Sequence, residues 1–143
     1  MTETKSIARH GQGRSCVITR RACFSASHRY WLPELSADDN AARFGPCSFA
    51  PGHGHNYELR VTVAGEVDPQ TGFVVNLKNL SKLIRKHVIT QVDHRNLNRE
   101  VSFMEGLIPS TENLAKAIWG ELEAPVSDLG CRLHKVAIQE TEN

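Results

Sequence analysis

Gly52-His53-Gly54-His55-Asn56-Tyr57-Glu58-Leu59-Arg60-Val61-Thr62-Val63 alternates with a period of two. Tyr57, Leu59, Val61 and Val63 are apolar while Asn56, Glu58, Arg60 and Thr62 are polar, the pattern of a strand with one face in a core. Residues two apart on a strand share a face, so His53 and His55 extend the apolar row and present their imidazoles side by side. A second segment, Arg21-Ala22-Cys23-Phe24-Ser25-Ala26-Ser27-His28-Arg29, carries Ala22, Phe24, Ala26 and His28 on one parity. Antiparallel pairing of the two sets His28, at the end of one, across from His53 and His55 at the start of the other.

Three neutral imidazoles at the end of a sheet make the donor set of an open zinc site, its fourth position left for water or substrate. Gly52 and Gly54 allow the close backbone approach that such a site needs. A closed alternative takes Cys47 as fourth ligand and makes the metal structural. Spacing leaves both open, and each histidine singly also reads as a hydrogen-bonded strand residue.

The remaining chain frames this centre. At 143 residues, 40% hydrophobic and 23% charged, it has the composition of one globular domain. A net charge of +1, with Lys and Arg scattered, gives no nucleic-acid footprint. No run approaches the roughly 18 apolar residues of a membrane span, and Met1 to Arg14 lacks an apolar signal core. Residues 1–14 are therefore expected to be a flexible tail, residues 15–143 the domain, and the location cytoplasmic. Cys16, Cys23, Cys47 and Cys131 show no paired spacing, so no disulfide framework is expected.

A first strand is predicted over about Ser15 to His28, followed by a loop from Tyr30 to Phe44 marked by Pro33 and Ser36-Ala37-Asp38-Asp39-Asn40. The second strand runs from about His55 to Gly65, and Glu66 to Gly72 forms a turn into a return strand beginning at Phe73 to Val75. Asn76 caps a helix with Leu77, Leu80, Leu83, Ile84, His87, Val88 and Gln91 on one face. Asp93-His94 follows, reading either as a helix terminus or as an acid–base pair if the backbone leaves the helix there. A second helix begins at Ser110 to Asn113 and ends at Pro125. In the last strand, about Cys131 to Glu140, His134, Val136, Ile138 and Glu140 share a parity, so a carboxylate continues an apolar row. These elements give an α+β fold: an antiparallel sheet of about four strands with two helices on one face.

Phe24 to Arg29, Cys47 separated by five residues from His53-Gly54-His55-Asn56, Asp93-His94 with Leu97-Asn98, Thr111-Glu112-Asn113 and Glu140-Thr141 together resemble the 6-pyruvoyl-tetrahydropterin synthase family. The match runs in order from about Ser15 to Asn143. The five-residue gap and Asn76 resemble the biopterin-type enzymes more than the related 6-carboxytetrahydropterin synthases of queuosine synthesis, which have a shorter gap and Asp in place of Asn76.

The resemblance implies the tunnelling fold, in which three subunits join sheets into a barrel and two trimers stack into a hexamer, with sites at subunit interfaces. It implies Zn2+ on His28, His53 and His55, and Cys47, Asp93, His94 and Glu140 as catalytic residues. Thr111, Glu112 and Glu140 are implied to bind a pterin triphosphate substrate. A carboxylate such as Glu140 makes sense on an apolar row where a ligand presents a fork of N–H donors, as a pterin edge does. The implied reaction turns 7,8-dihydroneopterin triphosphate into 6-pyruvoyl-tetrahydropterin. The alternatives are 6-carboxytetrahydropterin synthesis, or a non-catalytic structural zinc or pterin-binding module. Two departures from relatives are the end of the chain soon after Glu140 and the apolar Ser48-Phe49-Ala50-Pro51.

Overall fold

The computed structural model of the protein describes residues 14–143. The expected tail, residues 1–14, lies outside the described residues except for Arg14. β1 (Cys16–His28) and β2 (His53–Gly65) pair antiparallel along their whole length, from Cys16 against Gly65 to His28 against His53. After a helix α1 (Ala37–Phe44) and a 3-10 turn (Gly45–Ser48), the chain enters β2. It then forms α2 (Leu77–Ile84), a π-turn (Arg85–Ile89) and a last turn α3 (Thr90–Val92). β3 (Arg95–Asn96), α4 (Thr111–Asp128) and β4 (Arg132–Gln139) complete the order.

The sheet runs β3-β1-β2-β4. β4 is antiparallel to β2, but the short β3 is parallel to β1, pairing Ala26 with Arg95 and Ser27 with Asn96. The four-stranded α+β expectation holds, and the all-antiparallel detail is corrected. Leu80, Ile84, Val88 and Val92 from the first long helix and Leu114, Ile118, Leu122 and Val126 from α4 cover the face formed by Phe24, Ala26, Tyr57, Leu59, Val61 and Val63. The π-turn rephases the stripe, so that Val88, Ile89 and Val92 all reach the core. Leu77, expected on the stripe, is exposed. Thr19, Arg21, Cys23, Asn56 and Arg60 are exposed on the opposite, polar face.

Three further expectations are corrected. Phe73–Val75 is not a strand: the Gly72 N–H donates to the Asp68 carbonyl at 2.7 Å and the Phe73 carbonyl accepts from Asp68 N–H at 2.9 Å, and the chain passes straight to the Asn76 cap. α4 does not stop at Pro125 but continues to Asp128. Proline there forfeits a hydrogen bond at about 3 kcal/mol, and the burial of Leu122 and Val126, at about 1.5–3 kcal/mol each, outweighs it. His134 does not share a face with Val136: the register jumps from Lys135 opposite Thr62 to Leu133 opposite Val63. This bulge expels His134 to solvent and turns Leu133 inward.

The segment between β1 and β2 is held by Asn40, which is 0% exposed. Its Oδ1 accepts from Leu32 N–H at 2.8 Å, and its Nδ2 donates to the carbonyls of Leu32, Leu35 and Ser36 at 3.0–3.2 Å. Truncation orphans main-chain groups that folding has removed from water. Asn40→Ala is expected to lower the unfolding free energy by about 2–3 kcal/mol in a urea titration, and an unchanged midpoint would refute this role.

Candidate active site

The register of β1 against β2 places His28 directly opposite His53 and diagonal to His55. Their ligand atoms all lie within 4.8 Å of one another, with Nε2 of His28 and His53 3.1 Å apart. The rings stand edge to face, centroids 4.7–5.0 Å apart. Gly52 makes the approach possible: a Cβ there would sit 2.5 Å from the His28 carbonyl oxygen, at a φ of +112°.

His28 is 1% exposed, and its Nδ1 lies 2.9 Å from the Pro109 carbonyl oxygen. A carbonyl can only accept, so Nδ1 carries the hydrogen and Nε2 turns its lone pair toward the other imidazoles. Nε2 of His55 is buried without a hydrogen-bond partner. An orphaned buried acceptor is costly. The ring nitrogens of His28 and His55 converge with that of His53, the His28–His53 pair near the roughly 3.3 Å expected between nitrogens of a tetrahedral site, and so fit a divalent metal held by His28, His53 and His55. Cys47 is not part of this donor group.

Cys47 is a free, half-buried thiol in the 3-10 turn. Its carbonyl accepts from Tyr30 N–H at 2.8 Å, and the neighbouring Ser48 carbonyl accepts from Arg29 Nε at 2.6 Å. The main chain just beyond His28 thereby fixes the thiol-bearing turn beside β1. Glu140 follows β4, its Oε1 3.6 Å from His28 Nε2 and 3.8 Å from His55 Nε2. Tyr57, buried two residues after His55, donates its hydroxyl to the same oxygen at 3.3 Å. Tyr30 packs edge-on against His28 at 5.0 Å, its pKa pushed up to about 12 by burial and then by the charges of Glu140, Cys47 and Glu112. Glu112 sits in the first turn of α4 below the Ser110 cap, next to half-buried Thr111.

Asp93 and His94 are arranged elsewhere. The backbone does leave the helix: Asp93 is extended and His94 has a φ of 57°. Asp93 Oδ1 accepts from Ser25 N–H at 2.9 Å and lies 3.0 Å from His94 Nδ1. The Ser25 N–H, foremost, holds the Asp93 carboxyl below its ordinary range. His94 is 82% exposed and borders a groove with Ser25, Ser27, His55, Asn56, Asn96 and Glu100, which Cys47 does not line. Sequence reasoning missed Tyr57 and Tyr30 as members of the site. Tyr57 shares the parity of His53 and His55, a signal that could have found it. The Pro109 carbonyl leaves no such trace.

His28 resists protonation chiefly because it is buried, so its pKa lies below the ordinary 6.5. The unfolded chain binds the proton that the folded chain refuses, so this stabilisation is full above pH 6.5 and falls away below it. Asp93 and Glu100, with pKa values lowered from 3.8 and 4.5, lose their contributions only at lower pH. Metal-free protein is expected to melt progressively earlier between about pH 7 and pH 5, with the slope flattened in His28→Gln. A melting temperature that is constant over that interval in the parent protein would contradict a buried neutral imidazole.

Among the described residues no helix is long and apolar enough to cross a membrane. The sequence pattern of the 6-pyruvoyl tetrahydropterin synthase family matches residues 17–143. A 6-pyruvoyl tetrahydrobiopterin synthase of Homo sapiens is 42% identical over 139 residues, covering 96% of this chain and 94% of that protein. A 6-carboxy-5,6,7,8-tetrahydropterin synthase of Bacillus subtilis is 34% identical over 108 residues, covering 73% of this chain and 64% of that protein. The structure of Caenorhabditis elegans 6-pyruvoyl tetrahydropterin synthase superposes with a TM-score of 0.85 at 37% identity, covering 93% of this chain and 94% of that one. The mixed four-stranded sheet with its helices is accordingly the expected tunnelling fold. By sequence pattern, identity and superposition, the chain belongs to the 6-pyruvoyl tetrahydropterin synthase family, a family of enzymes.

Proposed function

We propose that the protein is a zinc-dependent lyase converting 7,8-dihydroneopterin triphosphate to 6-pyruvoyl-5,6,7,8-tetrahydropterin, with release of triphosphate. The observation that carries this reading is a three-imidazole donor set, one tautomer fixed by Pro109, beside an uncommitted thiol. The five-residue spacing from Cys47 to His53 and the presence of Asn76 favour this product over 6-carboxytetrahydropterin.

Zn2+, when bound by His28, His53 and His55, supplies Lewis acidity toward the side-chain hydroxyls of the substrate. Glu140 accepts the N–H fork of the pterin ring, with Thr111 and Glu112 at the same mouth. Cys47, as thiolate, takes a proton from the substrate side chain. His94 receives that proton and Asp93 holds its ring by the 3.0 Å contact at Nδ1. The side-chain carbons are oxidised as the ring is reduced and triphosphate leaves, so no external reductant is required.

Because His94 is 82% exposed, in a groove that reaches His55 but is not lined by Cys47, the proposed relay joins Cys47 of one subunit to Asp93 and His94 of another. Supporting this, no strand of the described residues pairs with the outer edge of β1 between Cys16 and Phe24, nor beyond β4, which leaves edges for sheet-to-sheet joining in a hexamer of two trimers. The proposed location is the cytoplasm.

Product identification by mass spectrometry with dihydroneopterin triphosphate tests the chemistry. Wild type is expected to yield the pyruvoyl product without acetaldehyde, and Cys47→Ala to lose about 10²-fold or more in kcat while keeping its zinc. Acetaldehyde release would select the 6-carboxytetrahydropterin reaction. Turnover indifferent to Cys47, or zinc lost with it, would select a closed or non-catalytic metal module. Co-refolding inactive Cys47→Ala with inactive His94→Ala subunits is expected to restore up to about a quarter of the sites, the statistical share of random pairing. No recovery would refute the shared relay.

A further inference from the structure

Tyr57 is buried within the site, and the roles proposed above do not use it. Its ring stacks on Phe24 at 4.9 Å, which fixes the direction of its hydroxyl. That oxygen lies 3.3 Å from His28 Nδ1 and 3.3 Å from Glu140 Oε1. A phenol has one hydrogen to give, and a carboxylate can only accept, so the hydroxyl donates to Glu140. The Nδ1–H of His28 points chiefly at the Pro109 carbonyl and also faces the Tyr57 oxygen. The donor direction therefore runs from the His28 ring to Tyr57 and on to Glu140.

We infer that Tyr57 is a positioning residue, whose hydroxyl tethers the Glu140 carboxylate and sets its height above the imidazole cluster for the N–H edge of the pterin. This rests on the reading of Glu140 as the pterin anchor. Apart from Tyr57, the Glu140 carboxylate has, among the described residues, only the His28 and His55 Nε2 atoms nearby, at 3.6 and 3.8 Å, and it follows directly on the end of β4, where Gln139 pairs with Glu58 and the chain leaves the strand. Its side chain is 26% exposed, so without a fixed donor it would be free to swing into solvent. An oxygen that accepts from Tyr57 keeps a further lone pair, so the tether and a pterin N–H can share one carboxylate. Both contacts are long for a hydroxyl, and such site hydrogen bonds tighten when a substrate fills the mouth.

The test uses zinc-loaded full-length protein, with 7,8-dihydroneopterin as the binding probe and dihydroneopterin triphosphate as substrate. Tyr57→Phe keeps the ring stack and removes only the donor. It is expected to raise the Kd of the probe and the KM of the substrate about tenfold, the worth of one hydrogen bond to a charged group. kcat is expected to change less than about threefold, and zinc stoichiometry not at all. In a Glu140→Ala background the same change is expected to alter Kd less than about twofold, because the group it tethers is gone.

Equal probe affinity in wild type and Tyr57→Phe overturns the inference and leaves the proposed function intact. A tenfold loss that persists in the Glu140→Ala background also overturns it, since Tyr57 would then act on the metal ligands or the core. A wild type that binds no pterin and turns none over overturns the proposed function and this inference together.

Discussion

The pairing of β1 with β2 in the register that sets His28 against His53 is the constraint on which the site depends. A side chain alternates faces along a strand, so a slip of one residue would send His28 to solvent and Phe24 and Ala26 with it. The imidazole cluster and the apolar core are therefore specified by the same register. Burial of Phe24, Tyr57, Leu59, Val61 and Val63 under α4 and the α2–α3 helix resists the slip with the hydrophobic energy of the whole sheet face. The imidazole cluster inherits its precision from the core.

That inheritance has an electrostatic side. Three imidazoles brought together repel one another when charged, and burial of His28 already disfavours its charged form. The Pro109 carbonyl completes the arrangement by assigning the hydrogen of His28 to Nδ1. A cation bound at the ring nitrogens then meets lone pairs rather than protons. Tyr57 and Glu140 stand beside this cluster, so the carboxylate nearest the imidazoles is a group with its own hydrogen-bond donor.

The features legible in sequence were those governed by local periodicity. Period two in Tyr57–Val63 and in Ala22–His28 gave the two strands and the convergence of three histidines, because strand parity is a property of the backbone alone. The errors fell where tertiary packing overrode a local signal. Pro125 reads as a stop, but Leu122 and Val126 hold α4 in place on both sides of it. His134 reads as part of an alternating row, but a bulge set by pairing with β2 shifts the phase. Phe73–Val75 is β-branched and aromatic, yet it pairs with no strand of the described residues and packs Val74 and Val75 beside the core. Glu140 was legible as an anomaly on an apolar row. The carbonyl of Pro109 was not legible, since it is a backbone group 81 residues away in sequence from the ring it orients.

The separation of Cys47 from the donor group bears on what kind of metal site this is. A thiolate within ligation distance of a zinc ion is a strong donor and closes the coordination sphere. Keeping a thiol close while denying it the metal needs a rigid tether, because a flexible loop would let sulfur drift onto the ion. The chain supplies one: Tyr30, two residues beyond His28, donates its N–H to the Cys47 carbonyl, Arg29 grips the Ser48 carbonyl, and the Ser48 hydroxyl donates to Gly45 O at 2.8 Å. The turn is thus bonded to the two residues that directly follow His28, at a fixed offset from β1. The thiol-bearing turn is held by these bonds while Cys47 stays outside the three-imidazole group, whereas a closed site would need the sulfur inside it.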